Sequence, residues 1–121
     1  MIGLGIDAVE VERFRSVLAR TPGVARRLFT EAERAYGSRF ADPAPRLAAR
    51  FAAKEAVMKA LGVGLGAFSF QDVEVVRLPS GAPTLRLSGG AAALAESRGV
   101  QSLRVSITHT DHTAEAVVAA L

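Results

Sequence analysis

Residues 42–62 read DPAPRLAARFAAKEAVMKALG, and the reading of this stretch decides the fold. Asp42-Pro43 opens it and Gly62 closes it, the start and stop signals of a helix. Between them Leu47, Phe51, Met58 and Leu61 recur at helical spacing. Residues 42–61 are therefore expected to form the longest helix, with that stripe against the core. The stretch also carries the only two lysines among 15 basic residues, Lys54 and Lys59. Glu55 and Lys59 are four apart and share a helix face, and Gly62 lies one turn further along it. A carboxylate beside a lysine on one face can hold a hard cation and a phosphate together. It can equally be an exposed ion pair that supports only the helix.

On the N-terminal side, Ile2-Gly3-Leu4-Gly5-Ile6 reads as a buried strand thinned by glycines, and Asp7 is expected to end it. Glu10–Arg20 reads as a helix with Phe14, Val17 and Leu18 on one face, broken by Thr21-Pro22-Gly23. Thr30 with Glu33 has capping-box spacing, which predicts a further helix start. A carboxylate directly after an apolar strand is costly unless it is exposed or liganded. Asp7 therefore has two readings. It meets Glu55 at one magnesium ion, or it caps the following helix with Glu10 completing the box.

On the C-terminal side the pattern changes to alternation. Asp72–Leu78 and Thr84–Leu87 read as strands around the turn Pro79-Ser80-Gly81-Ala82-Pro83. Gly89–Arg98 is alanine-rich and helical, and Leu103–His109 and Ala114–Leu121 are the last two strands. The fold class expected is α+β, a single domain over residues 1–121 with a mainly antiparallel sheet packed on helices. Gly62-Val63-Gly64-Leu65-Gly66 has the composition of a phosphate cradle, but it follows a helix, whereas anion cradles precede one. Ser106-Ile107-Thr108-His109-Thr110 places hydroxyls and an imidazole at a strand end, suited to a phosphate or ribose or to a structural role.

The 121 residues are half apolar and 22% charged, a globular composition. Absence of cysteine excludes a disulfide scaffold, a zinc–thiolate site and cysteine catalysis, and fits a cytoplasmic location. Two histidines alone cannot form a three-histidine metal site. No apolar run reaches membrane-spanning length, and no signal peptide is visible, so no membrane association is expected. Net charge is +3, but Arg13, Arg15, Arg20, Arg26 and Arg27 fall in one stretch without an acid. Such a face is either solvated or draws an anionic partner. Nucleic acid is not the expected partner, because tryptophan is absent and there is one tyrosine to stack on bases.

Together these segments resemble the holo-[acyl-carrier-protein] synthase family, the short bacterial class of 4'-phosphopantetheinyl transferases. The resemblance rests on Ile2–Asp7, on Phe29-Thr30-x-x-Glu33, on Arg50–Gly62 and on Gly64-x-Gly66. It continues through Phe70–Val75, Gly81-x-Pro83 and Ser106–Thr110, so it runs in family order along nearly the whole chain. It implies the 4'-phosphopantetheinyl transferase fold and Mg2+-dependent transfer of 4'-phosphopantetheine from coenzyme A to a serine of acyl carrier protein. Adenosine 3',5'-bisphosphate is released, in support of fatty acid or polyketide synthesis. The implied catalytic set is Asp7, Glu55 and Lys59, with Asp7 and Glu55 as metal ligands. The implied coenzyme A contacts are Lys54, Lys59, Gly62, Ser106, Thr108, His109 and Thr110, with His109 on the 3'-phosphate. Arg13 and Arg20, seven residues apart on one helix face, would dock the acidic carrier. A homotrimer with the site at the subunit interface is also implied. No coenzyme contact carries over onto residues 37–45 or 90–101. Two competing classes are a magnesium-dependent phosphohydrolase using the same carboxylates and a basic nucleic-acid module.

Overall fold

A computed structural model describes residues 1–121. Strand β1 (Gly3–Glu10) leads into α1 (Val11–Arg20), α2 (Val24–Leu28), α3 (Glu31–Gly37) and the long α4 (Ala44–Ala60). A 3-10 turn at Phe70–Asp72 opens β2 (Val73–Arg77), followed by β3 (Pro83–Leu87), α5 (Gly89–Ser97), β4 (Leu103–His109) and β5 (Thr113–Ala120). The strands form two antiparallel sheets rather than one, β1-β5-β4 and β2-β3. The α+β expectation holds, with all ladders antiparallel.

The 17-residue α4 is wrapped on several sides, by β1 and β5, by β2, and by α1 and α3. That explains why the expected stripe is too narrow. Besides Leu47, Met58 and Leu61, seven alanines (Ala44, Ala48, Ala49, Ala52, Ala53, Ala56 and Ala60) are buried, and Phe51 is only partly so. A helix buried most of the way round shows little amphipathic signal. Gly62 ends it at φ 75°, with Val63 N donating to Met58 O at 2.9 Å, a glycine-terminated C-cap.

Strand β1 is longer than expected. Pairing with β5 runs unbroken from Gly3↔Ala120 through Asp7↔Ala116 to Glu10↔Thr113, so Asp7 sits inside the strand. Glu10 occupies the N-cap of α1 without a side-chain cap, which removes the reading of Asp7 and Glu10 as a capping box. The Thr30–Glu33 capping box is present. Helix α2 was not anticipated; Gly23 opens it at φ 85°.

Alternate residues of β1 face α4: Gly3, Gly5, Asp7 and Val9. A Cβ at Gly3 would lie 1.9 Å from Ala60 O, and one at Gly5 2.0 Å from Ala56 O. The glycines let the strand touch the helix backbone, and Asp7 follows in the same row. On the opposite face of this sheet Leu4, Ile6 and Val117 stand exposed, at 58%, 66% and 37%.

Gly5→Ala should cost about 3 kcal/mol or more through this backbone clash and lower the melting temperature by roughly 10 °C. Gly64→Ala, with nothing within 4 Å of the new Cβ, should leave the transition unchanged in a calorimetric scan.

Candidate active site

The glycine row places Asp7 against the exposed end of α4. Lys59, from the helix's last turn, reaches over the strand: its Nζ donates to Ile6 O at 2.8 Å and to Asp7 Oδ1 at 3.1 Å. Glu55, one turn back, lines a cleft of about 560 Å3 together with Asp7, Glu10 and Arg13. The rest of the lining is mostly apolar, with Phe14, Val17, Leu28, Phe51 and Phe70 as the larger groups. Burial pushes the Glu55 carboxyl above its usual range; the charge of Asp7 pushes it further and Lys59 partly offsets both. The two carboxylates thus repel one another across one cleft, which suits a hard divalent cation that takes one or two carboxylates and keeps other positions for water and phosphate.

Lys54 corrects an expectation. It does not face this cleft but is fully buried, as is Glu33, and the two form an ion pair at 2.7 Å. Its ammonium also donates to Phe70 O at 2.9 Å and to Val73 O. Burial pulls the Lys54 pKa down, and Glu33 counters that. Lys54 therefore has no direction left for a coenzyme. Gly62 is likewise displaced from the expected set: it belongs to a separate hollow with Ile2, Ser97 and Arg98, and its use here is to end α4.

The Ser106–Thr110 segment is split by the pleat. Ser106 and Thr108 project from the exposed outer face of the sheet, whereas His109 follows Val105 and Ile107 on the inner face. The Thr110 hydroxyl accepts from His112 N and Thr113 N, both at 3.1 Å, and shapes the β4–β5 turn. His109 lines a second cavity, about 330 Å3, with Arg46, Arg50, Arg77, Tyr36 and Phe40. These arginines were missed in the sequence, yet a signal was there. Arg46, Arg50 and Lys54 are cations at i, i+4 and i+8 on one helix, and the only acid on that row, Asp42, precedes the first turn of α4. Glu33 answers Lys54. Arg50 is only 8% exposed; its Nε has no hydrogen-bond partner, its guanidinium sits 4.0 Å over the Tyr36 ring, and burial pulls its pKa down. A buried, underpartnered cation calls for an anion. Arg13 and Arg20 are both exposed on α1, Arg13 at the rim of the carboxylate cleft.

The fold thus carries a carboxylate pair with a lysine and, apart from it, an arginine–histidine pocket. Residues 3–120 match the 4'-phosphopantetheinyl transferase superfamily, and the chain belongs to that family and is a transferase of this class. It is 48% identical over 120 residues to a holo-[acyl-carrier-protein] synthase of Frankia alni, covering 99% of this chain and 97% of that one. The crystal structure of holo-[acyl-carrier-protein] synthase from Neisseria meningitidis superposes with a TM-score of 0.89 at 30% identity, covering 100% and 98% of the two chains. The Helicobacter pylori enzyme in complex with coenzyme A superposes at 0.84 with 32% identity, covering 98% and 99%.

Because the folded protein holds the Glu55 proton more tightly than the unfolded chain does, stability falls as pH rises through the titration of Glu55. Glu55→Gln should therefore raise the melting temperature of the cation-free protein at pH 7. Asp7→Asn should bring the Glu55 carboxyl, followed by carbon-13 NMR, back toward the ordinary glutamate range.

Proposed function

We propose that residues 1–121 act as one transferase domain that moves 4'-phosphopantetheine from coenzyme A to a serine of an acidic acyl carrier protein in the cytoplasm, serving fatty acid or polyketide synthesis. The observation that carries this is the convergence of Asp7 and Glu55 at one cleft beside the exposed arginine Arg13, with Lys59 bonded to Asp7. The curated and solved relatives bearing the synthase name, one of them in complex with coenzyme A, support the same substrates.

The donor set fits Mg2+: two oxygen ligands, Asp7 and Glu55, with their repulsion to be relieved and no soft ligand near. When bound, the ion supplies charge neutralisation at the diphosphate. The chain's own groups do the rest. Lys59, with half its side chain in solvent, turns from Asp7 to the diphosphate and adds positive charge on the leaving side. The serine oxygen forms a bond to the β-phosphorus while the bond to the α-phosphate oxygen breaks. The products are the phosphopantetheinylated serine and adenosine 3',5'-bisphosphate, and the serine proton is released. Positioning and electrostatics account for most of the rate in such transfers.

The second cavity suits the nucleotide end, with His109, Arg46, Arg50 and Arg77 around the 3'-phosphate and Tyr36 and Phe40 as aromatic walls. The two cavities share no lining residue. A homotrimer in which one subunit offers the carboxylates and its neighbour the arginines accounts for that separation. It also uses the exposed face of Leu4, Ile6 and Val117. Arg13 and Arg20 on α1 then meet the carrier.

The direct test is the intact mass of apo acyl carrier protein after incubation with this protein, coenzyme A and Mg2+. A gain of one phosphopantetheine is expected, and none with Asp7→Ala or Glu55→Ala. Release of nucleotide from coenzyme A without carrier would instead favour a phosphohydrolase. Arg13→Glu with Arg20→Glu should raise KM for the carrier and leave KM for coenzyme A unchanged. Light scattering should report three chains, and Ile6→Asp should shift the mass toward one.

A further inference from the structure

Helix α4 carries Glu55 and is packed partly through larger side chains, Leu47, Phe51, Val57 and Met58. The rest of its buried flank is alanine: Ala48, Ala49, Ala52, Ala53, Ala56 and Ala60. Alanine presents no long knob, so along that flank shape alone sets the rotation less sharply than directional polar contacts do, and each residue's step is ~100°. A different kind of constraint sits next to Glu55 in the chain. Lys54 and Glu33 are both wholly buried and paired at 2.7 Å. The three ammonium protons of Lys54 meet Glu33 Oε1, Phe70 O and Val73 O, all outside α4. Glu33 in turn accepts from Thr30 N at 3.0 Å and from Val75 N at 2.9 Å. Every bond in the set has a fixed direction, and none survives a rotation of the helix. Phe70, whose carbonyl Lys54 holds, is also a wall of the carboxylate cleft.

We infer that the Glu33–Lys54 pair is a positioning pair: it fixes the rotation of α4 so that Glu55 faces Asp7, and it holds Phe70 at the cleft wall. Buried ion pairs are poor sources of stability relative to apolar replacements of the same volume, and their best-attested use is to select one register among similar packings. An alanine-lined helix next to a metal-type carboxylate pair is where such selection is needed. What Glu55 is aimed for rests on the function proposed above; that it is aimed does not.

The chain has no cysteine, so a thiol reporter is clean. Asp7→Cys with Glu55→Cys should be bridged by dibromobimane and become fluorescent in the otherwise unaltered chain. In the background Glu33→Gln with Lys54→Met, which removes both charges and keeps the volume, bridging should fall to the level of the single-cysteine controls while circular dichroism still shows a folded protein. Without the reporter, the same Glu33→Gln, Lys54→Met variant should lose about 10²-fold in kcat with KM for the carrier unchanged, since α1 is untouched. Equal bridging in both backgrounds would overturn the inference. Should that background not fold, Glu33→Asp, which keeps the charge and shortens the reach by one methylene, should lower bridging and kcat together; bridging equal to the unaltered chain's overturns the inference here too. Failure of the transferase reading would look different: no mass gain on any carrier with the unaltered chain, while bridging still depends on Glu33 and Lys54.

Discussion

The contact on which the rest of the molecule depends is the touch of strand β1 on the backbone of α4. With hydrogens at Gly3 and Gly5 in place of side chains, the strand lies directly on the carbonyls of Ala56 and Ala60. A strand kept away by even a methyl group would carry Asp7 with it, out of reach of Lys59 Nζ at 3.1 Å. The same closeness makes the helix's alanines useful, since small residues on both partners allow backbones to approach. The glycines weaken the strand as a strand, and long pairing with β5, flanked in turn by β4, offsets that.

Close packing of small residues sets the distance, and polar groups placed inside bind the same helix to its neighbours in fixed directions. Glu33 begins its work locally, closing the capping box of α3, and ends it non-locally on Val75 N and Lys54. One carboxylate therefore serves a helix start, a strand amide and an ion pair, which ties α3, α4 and β2 into one body. The rings of Phe14, Phe51 and Phe70, the first pair stacked and the second tilted, continue that body to the cleft, at 5.3 and 5.6 Å between centroids. The carboxylate cleft is thus backed by a shell whose buried polar side chains are satisfied apart from the Nε atoms of Arg34 and Arg50, the second of them in the arginine pocket.

Much of this was readable from residue patterns. Helix α4, the strands β2 to β5 and the Thr30–Glu33 box followed from spacing, turn residues and capping chemistry, which are local. Asp7, Glu55 and Lys59 were picked out because a carboxylate after an apolar strand and a lysine one turn from an acid are unusual on local grounds. Other features were beyond local rules. Strand β1 runs on past Asp7 because β5 pairs with it, and no pattern within residues 3–10 says so. Lys54 looked like its neighbour Lys59 in sequence, yet one is wholly buried and the other half in solvent. The helical row of Arg46, Arg50 and Lys54 was visible but its meaning depended on which residues stood opposite.

The amino-acid sequence by itself determined most of the elements, the α+β class and the family, and it picked out Asp7, Glu55 and Lys59 as candidates. These depend on periodicity, on backbone preferences and on residue chemistry, all of which act over a few positions. Only the tertiary structure decided which of two adjacent residues on α4 faces the core and which the cleft, that His109 parts company with Ser106 and Thr108, and that three arginines gather around it. Those outcomes are set by what packs on the far side of each element, an arrangement governed by contacts across long stretches of chain and by the cost of leaving a buried charge without its partner.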